Sequence, residues 1–296
     1  MLKIITWNIN QRGQGWRHLV STGADIALLQ EAKEPPPDVL PQIRVDSAPW
    51  CTAGAGATRP WRAVVVKLSN RVGVEWLEPK SVPEAHPSEG GKFGVSRPGT
   101  LAAAIVTPVG GEPFVVASMY AMWEHPHPST GNTEIYADGS VHRLISDLSG
   151  LIGAKRRHRI IAAGDLNILY GYGENGSAYW AARYDTIFAR MRALGLSFVG
   201  PQAPCGRLAE PWPKELPLGS KNVPTYYTGR QTPLSATRQL DFVFASNFLA
   251  ERVRVRALND PNDWGPSDHC SVEIDVDEDP MAQDVHSGTE FHEKNL

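Results

Sequence analysis

Arg159-Ile160-Ile161-Ala162-Ala163-Gly164-Asp165-Leu166-Asn167 runs through four apolar residues into a glycine, then presents a carboxylate two positions before an amide. A short apolar run closed by glycine reads as a buried strand ending in a turn. A carboxylate held there can orient or deprotonate a water, and the amide can hold a phosphate oxygen. An ordinary Asx turn fits the same residues, and the stretch alone does not choose between the two.

Working outward, similar apolar runs recur at 3–9, 25–29, 63–68, 101–107, 114–119, 239–245 and 271–276, several rich in the Val and Ile that strands prefer. Helical spacing is rarer, near 179–194 and near 141–153, where Val141, Leu144, Ile145, Leu148, Leu151 and Ile152 share a face. The chain is therefore expected to be a strand-rich α/β protein. Pro and Gly gather in long connections at 84–100, 122–140 and 201–238, which read as walls of a cleft. Predicted strands and candidate site residues flank each connection, so none reads as a linker. Residues 1–277 are expected to form one catalytic domain, with 278–296, poor in large apolar residues, as a flexible tail.

With 296 residues, 42% of them hydrophobic, the chain can bury a large core. A formal net charge of −3 argues against attachment to nucleic acid through a globally basic surface, though a local basic groove would still attract phosphates. Cys51, Cys205 and Cys270 are odd in number and lack zinc or disulfide spacing, which predicts a reduced, cytoplasmic setting. No charged leader precedes the first apolar run, and no stretch approaches the roughly 20 apolar residues of a membrane helix. A protein without a membrane segment, and without an obligate protein partner, is expected.

Other strand ends carry chemistry of the same kind. Glu31 closes Ala27-Leu28-Leu29-Gln30-Glu31 and offers a hard oxygen ligand suited to Mg²⁺ or Mn²⁺, unless it is a solvated residue opening a loop. Asn8, after Ile5-Thr6-Trp7, can support that metal or a phosphate, or simply cap its strand. Asp268 and His269 stand together before Cys270-Ser271-Val272-Glu273-Ile274; histidine suits base or phosphate-binding work when a carboxylate such as Asp241 fixes its tautomer. A lone Asp-His pair is more often a surface turn, so these residues gain force from one another.

In order, Trp7-Asn8, Gln30-Glu31, Gly164-Asp165-Leu166-Asn167, Leu240-Asp241-Phe242-Val243 and Ser267-Asp268-His269 resemble the motifs of the endonuclease/exonuclease/phosphatase superfamily, which contains exonuclease III, deoxyribonuclease I and inositol polyphosphate 5-phosphatases. The resemblance covers residues 3 to 276. It implies a four-layer α/β sandwich, two packed, mostly antiparallel β-sheets flanked by helices, with the site where strand-end loops converge. It also implies roles: Glu31 as main metal ligand with Asn8 beside it and Asp268 helping; Asp165 on the attacking water; Asn167 on the phosphate; and His269, oriented by Asp241, on the scissile phosphate. Whether Asp165 or His269 is the base stays open at this point. Tyr120 ends Val115-Val116-Ala117-Ser118-Met119-Tyr120 where exonuclease III-type members place a phosphate-contacting tyrosine. His125 and His127, in a Pro-rich loop, read as solvated.

The substrate is written less plainly. Tyr170 to Trp180 is rich in glycine and aromatic residues that could stack on unpaired bases, or could equally anchor a helix, together with Tyr184. Lys155-Arg156-Arg157-His158-Arg159 precedes the Asp165 strand and should lie at the end opposite the site. Lys92, Arg97, Lys221 and Arg230, in the long loops, are better placed to meet substrate. Gln30-Glu31-Ala32-Lys33 resembles the exonuclease III-type glutamate motif, whereas Asn8-Ile9-Asn10-Gln11-Arg12 lacks the Asn-Gly step of the repair enzymes. The expected function is a Mg²⁺-dependent phosphodiesterase, a nuclease on DNA or RNA. The alternatives are an esterase of small-molecule or lipid-headgroup phosphates and a non-catalytic binding module.

Overall fold

The computed structural model describes residues 1–53, 58–82, 90–126, 128–153 and 158–277. Its elements are β1 (Leu2–Asn8), α1 (Gly13–Leu19), β2 (Ile26–Ala32), β3 (Thr52–Ala53), β4 (Thr58–Arg59), β5 (Arg62–Lys67), β6 (Val72–Ser81), β7 (Lys92–Val95), β8 (Leu101–Pro108), β9 (Phe114–Tyr120), α2 (Ala137–Leu148), β10 (Ile160–Asp165), α3 (Ala178–Ala193), β11 (Leu196–Gly200), β12 (Asp241–Ser246), β13 (Val253–Ala257) and β14 (Val272–Val276). One sheet has the order β13-β14-β1-β2-β5 and the other β11-β12-β10-β9-β8-β6-β7. Pairing is antiparallel except for β1 with β2, β9 with β10, and β6 with β7.

The unbroken apolar runs have a physical cause: the central strands are buried on both faces. Along β1, Leu2 and Ile4 enter the core between the sheets, while Ile5 and Trp7 point outward to Trp16 and Leu19 of α1. Along β10, Ile161 and Ala163 face the other sheet, while Ile160 and Ala162 face the core under α2 and α3. Along β12 the same alternation sends Val243 and Ala245 inward and Phe242 and Phe244 outward. Layers therefore run α1, five strands, seven strands, α2 with α3, the expected four-layer α/β sandwich.

α3 begins at Ser177, whose hydroxyl accepts from the Trp180 backbone N–H at 3.5 Å. Its buried Trp180, Tyr184, Ile187, Phe188 and Met191 recur at helical spacing and cover the sheet.

Several elements depart from the expectation. β6, β11, β13 and α1 carried no usable signal. β6 is buried only at Val72, is exposed or half-buried along the rest of its length, and contains Gly73, Glu75, Glu78 and Pro79, so its apolar density is low. The short α1 holds Gly13 and Gly15, and a Cβ on Gly15 would lie 2.9 Å from Ile9 Cβ. β7 occupies part of the expected 84–100 loop. α2 stops at Leu148, and a 3₁₀ turn at Ser149–Leu151 replaces the helix expected to 153. The expected tail at 278–296 lies outside the described residues. Among those described, no helix is long and apolar enough to cross a membrane.

Candidate active site

Two of the parallel pairs, β1 with β2 and β9 with β10, end at the same rim of the sandwich. In the five-stranded sheet Asn8 pairs with Gln30, one residue before Glu31. In the other, Asp165 sits between Tyr120 on β9 and Asp241 on β12. Asp268 and His269 precede β14 and return to the five-stranded sheet. Gly164 makes the approach possible: its φ is +153°, and a Cβ there would fall 1.9 Å from Met119 O. Beneath the rim, Gln30 Nε2 donates to Ser118 Oγ at 3.0 Å and ties one sheet to the other.

Three hydrogen bonds cross between sheets at the rim itself. Asn8 Nδ2 donates to Asp165 Oδ2 at 3.0 Å and, less closely, to Glu31 Oε1 at 3.2 Å. The Tyr120 hydroxyl donates to Glu31 Oε1 at 3.0 Å. His269 Nδ1 meets Asp241 Oδ2 at 2.8 Å, and Trp7 Nε1 holds the His269 carbonyl at 2.8 Å. The opposite ring nitrogen, Nε2, faces Asp165 Oδ2 across 3.8 Å, too far for a hydrogen bond. Asn167 donates its backbone N–H to Asp165 Oδ1 at 3.0 Å and its amide to Ala121 O at 3.0 Å. Glu31 and Asn167 both hold positive φ, 46° and 51°, conformations that non-glycine residues adopt where surrounding structure imposes them.

Asp165, Asp241 and His269 are each almost wholly buried. Burial pushes the Asp165 carboxyl up to about 7, opposed by His269 and reinforced by Asp241 and Glu31. For His269, burial favours the neutral ring, but Asp241 and Asp165 outweigh it and raise the imidazole to about 10. At neutral pH the histidine is thus a cationic donor, and the aspartate holds a proton more readily than an ordinary carboxylate. Burial, then the Glu31 and Asp165 carboxylates, hold the Tyr120 phenol far above its usual range, so it remains a neutral donor.

Glu31 offers hard carboxylate oxygens of the kind a divalent ion takes. Its two oxygens accept from Asn8, Tyr120 and Gln11, three of about four acceptor positions on a carboxylate, and it lines the cleft beside Asp268. Asn8 presents its N–H₂ to the carboxylates while its oxygen accepts from Asn10 N at 2.9 Å. Asp165, Asp241 and His269 form a second candidate cluster, with one ligand atom each within 4.8 Å of the others. The close Nδ1 contact to Asp241 occupies that ring nitrogen, which favours a hydrogen-bonded relay there.

Seven of the eight residues read from the sequence line one cleft of about 430 Å³: Asn8, Glu31, Tyr120, Asp165, Asn167, Asp268 and His269. Asp241 stands behind His269. Sequence reasoning missed Tyr226, whose ring lies 4.8 Å from the His269 ring, and Thr225, whose hydroxyl accepts from Asp241 N at 3.1 Å. Trp61, Arg59 and Trp123 on the cleft wall were missed as well. These lie in loops or edge strands without periodicity, and only proximity to a motif would have signalled them.

Some expectations are corrected. His125 is exposed in its loop, as a solvated residue would be, and also borders this cleft; His127 lies outside the described residues. Arg97 is engaged by Glu124 at 3.2 Å with little exposure and lines neither this cleft nor the adjoining one. Lys92, Lys221 and Arg230 are exposed and line neither this cleft nor the adjoining one, where Arg59 and Arg238 supply the cations. Arg159 pairs with Glu112 at 2.9 Å at the far end of β10, while Lys155, Arg156 and Arg157 lie outside the described residues. Tyr170 packs against Phe188 and Phe198, anchoring α3.

The fold is similar to that of the Xenopus laevis APE2 catalytic domain, at 17% identity and TM-score 0.60, covering 96% of this chain and 94% of that one. The AP endonuclease LMAP from Leishmania major is 16% identical at TM-score 0.60, covering 94% of this chain and 88% of that one. A 3′-5′ exonuclease (NExo) from Neisseria meningitidis is 18% identical at TM-score 0.55, covering 93% and 100%. No curated protein matches the sequence. Residues 5–269 match the model of the Endonuclease/Exonuclease/phosphatase family, whose members are generally hydrolytic phosphoesterases that depend on divalent metals. The chain belongs to the endonuclease/exonuclease/phosphatase family.

Proposed function

We propose that this protein is a divalent-metal-dependent phosphodiesterase that cleaves DNA or RNA with an activated water. The observation that carries the reading is the buried line Asp241–His269–Asp165 opening onto the cleft beside Glu31. Asp165, raised toward neutrality, takes the proton of the attacking water. His269, held protonated by Asp241, donates from Nε2 to the scissile phosphate and receives its developing charge. Asn167, whose amide N–H₂ donates to Ala121 O at 3.0 Å and to Asp165 Oδ2 at 3.2 Å, turns one N–H from Asp165 to a phosphate oxygen when substrate is bound. Tyr120 and Asn8 hold Glu31 in place. A divalent ion, Mg²⁺ or Mn²⁺, bound by Glu31 and Asp268 with Asn8 alongside, supplies charge neutralisation at the phosphate.

Nucleic acid is favoured over a small ester because structural neighbours include AP endonucleases and a 3′-5′ exonuclease, and because aromatic walls adjoin the site. The test is purified protein with Mg²⁺ or Mn²⁺ against plasmid, single-stranded DNA, RNA and a panel of small phosphate esters. Cleavage of a nucleic acid that stops with a chelator is expected. Hydrolysis of small esters with no nucleic-acid product would establish the competing esterase reading.

A further inference from the structure

A second cleft, of about 570 Å³, adjoins the first, and Trp123, Asn167 and Tyr226 line both. A group seated on Asn167 and His269 therefore lies at the junction, with one arm of its chain led into each cleft. The first cleft is lined by the carboxylates Glu31, Asp165 and Asp268. The second is of another character: Trp123, Trp180, Tyr184, Tyr226 and Ile135 form much of its wall. Its volume lies within the roughly 300–1,000 Å³ typical of ligand pockets.

Trp123 is the unusual member. It is 56% exposed, and its ring has no aromatic or cationic partner among the described residues. Trp180, in contrast, is covered by Tyr184, Tyr136 and the Arg183 guanidinium. Exposure of a large aromatic commonly accompanies a loose loop, yet this loop is pinned on the next residue. Glu124 Oε1 is clamped by Arg97 and by Arg143, and the Glu124 carbonyl accepts from Tyr136 N at 2.8 Å. A free aromatic face is thus held at a fixed place beside the proposed phosphate position. Of the two carboxylates on the wall, Glu174 is engaged by Arg238 at 2.7 Å, leaving Glu134 as an acceptor for exocyclic amines.

We propose that the second cleft is a nucleoside pocket that takes one unpaired or flipped nucleotide next to the scissile phosphate, with its base stacked on Trp123. Resting on the nuclease reading, this assigns the substrate as a single strand or a locally opened duplex. Every base has a π-face, so stacking selects for the presence of a base more than for its identity. Trp123 is then a substrate-binding residue.

The experiment uses the full chain, Mg²⁺ and single-stranded oligonucleotides with one cleavable phosphodiester between resistant linkages. One set carries a reduced abasic residue on the 5′ side of that bond, one on the 3′ side, and one carries bases on both. The wild-type protein should lose roughly 5- to 150-fold in kcat/KM when one particular side, and not the other, lacks its base. Trp123→Ala should lose the same factor on the fully based substrate and nothing further on that abasic one, while Trp123→Phe should keep most of the effect. An unchanged circular-dichroism spectrum and thermal transition show that the variants are folded. Equal wild-type rates on all three oligonucleotides, or an equal Trp123→Ala loss on based and abasic substrates, overturns the pocket and leaves the nuclease reading standing. Absence of any oligonucleotide cleavage, with the small diester bis(4-nitrophenyl) phosphate still hydrolysed, overturns both.

Discussion

The cleft over Asp165 and the cleft over Trp180 meet at Trp123, Asn167 and Tyr226, yet they are built by different means. The first is assembled from strand ends. Asn8, Glu31, Tyr120, Asp165 and Asp241 each lie at the terminus of a buried strand or within one residue of it, and hydrogen bonds from the facing sheet fix their side chains. The second takes its wall from loops and the N-terminal turns of α2 and α3, joined by ion pairs such as Arg238–Glu174, whose side chains are 40% and 30% exposed. Rigid strand ends suit chemistry, which tolerates little displacement, and loop walls suit selection among substrates.

That contrast can be broken most forcefully at Gly164. Gly164→Ala would drive a methyl into Met119 O, and we expect it to destabilise the fold by more than about 4 kcal/mol, read as loss of the cooperative thermal transition. A soluble variant with native Tm would show that the strand-end cleft is not rigid.

Next in size are the proposed acid and base. Asp165→Asn or His269→Ala should each lower kcat by about 10²- to 10⁴-fold with the circular-dichroism spectrum unchanged. Asp165→Asn also has a pH signature. The folded-state carboxyl is raised to about 7 from an ordinary value near 4, so the folded protein holds that proton more tightly and the group's contribution to stability falls as pH rises from about 4 to about 7. His269 is raised to about 10, so its contribution is complete below about 6.5 and is lost as pH rises through about 10. Measured as Tm against pH, Asp165→Asn should flatten the lower window; an unchanged slope there would remove Asp165 as the titrating group.

Glu31→Ala should abolish the heat of Mg²⁺ binding in calorimetry, whereas His269→Ala should retain it. The reverse pattern would move the ion to the Asp165, Asp241 and His269 cluster. Tyr120→Phe removes one donor to Glu31 and should cost roughly 2- to 12-fold in kcat/KM, the worth of an ordinary hydrogen bond. Smallest of all, Glu174→Gln in the loop-built cleft should shift stability by less than about 1 kcal/mol, as expected of an exposed pair.

The same division governs what could be read from the chain. Strands buried on both faces, such as β1, β10 and β12, leave continuous apolar runs, and the polar residue closing each run stands out against them. β6, diluted by Glu75, Glu78 and Pro79, and the two-glycine helix α1 leave no such trace. Trp123 and Tyr226 sit in Pro-rich connections where neighbours in sequence say nothing of neighbours in space. Arg97 looked available until Glu124 and its clamp were in view. Pairings such as Asn8 with Asp165, 157 residues apart, require the sheets themselves.

The three rim bonds Asn8–Asp165, Tyr120–Glu31 and His269–Asp241 each join one sheet to the other. No half of the sandwich contains a working set of groups, so the site serves as a gauge of how the halves are aligned. During refolding, turnover should return only when the sheets have locked in register, later than the recovery of strand signal. A partly assembled molecule would then hold its polar groups without the alignment that turnover needs.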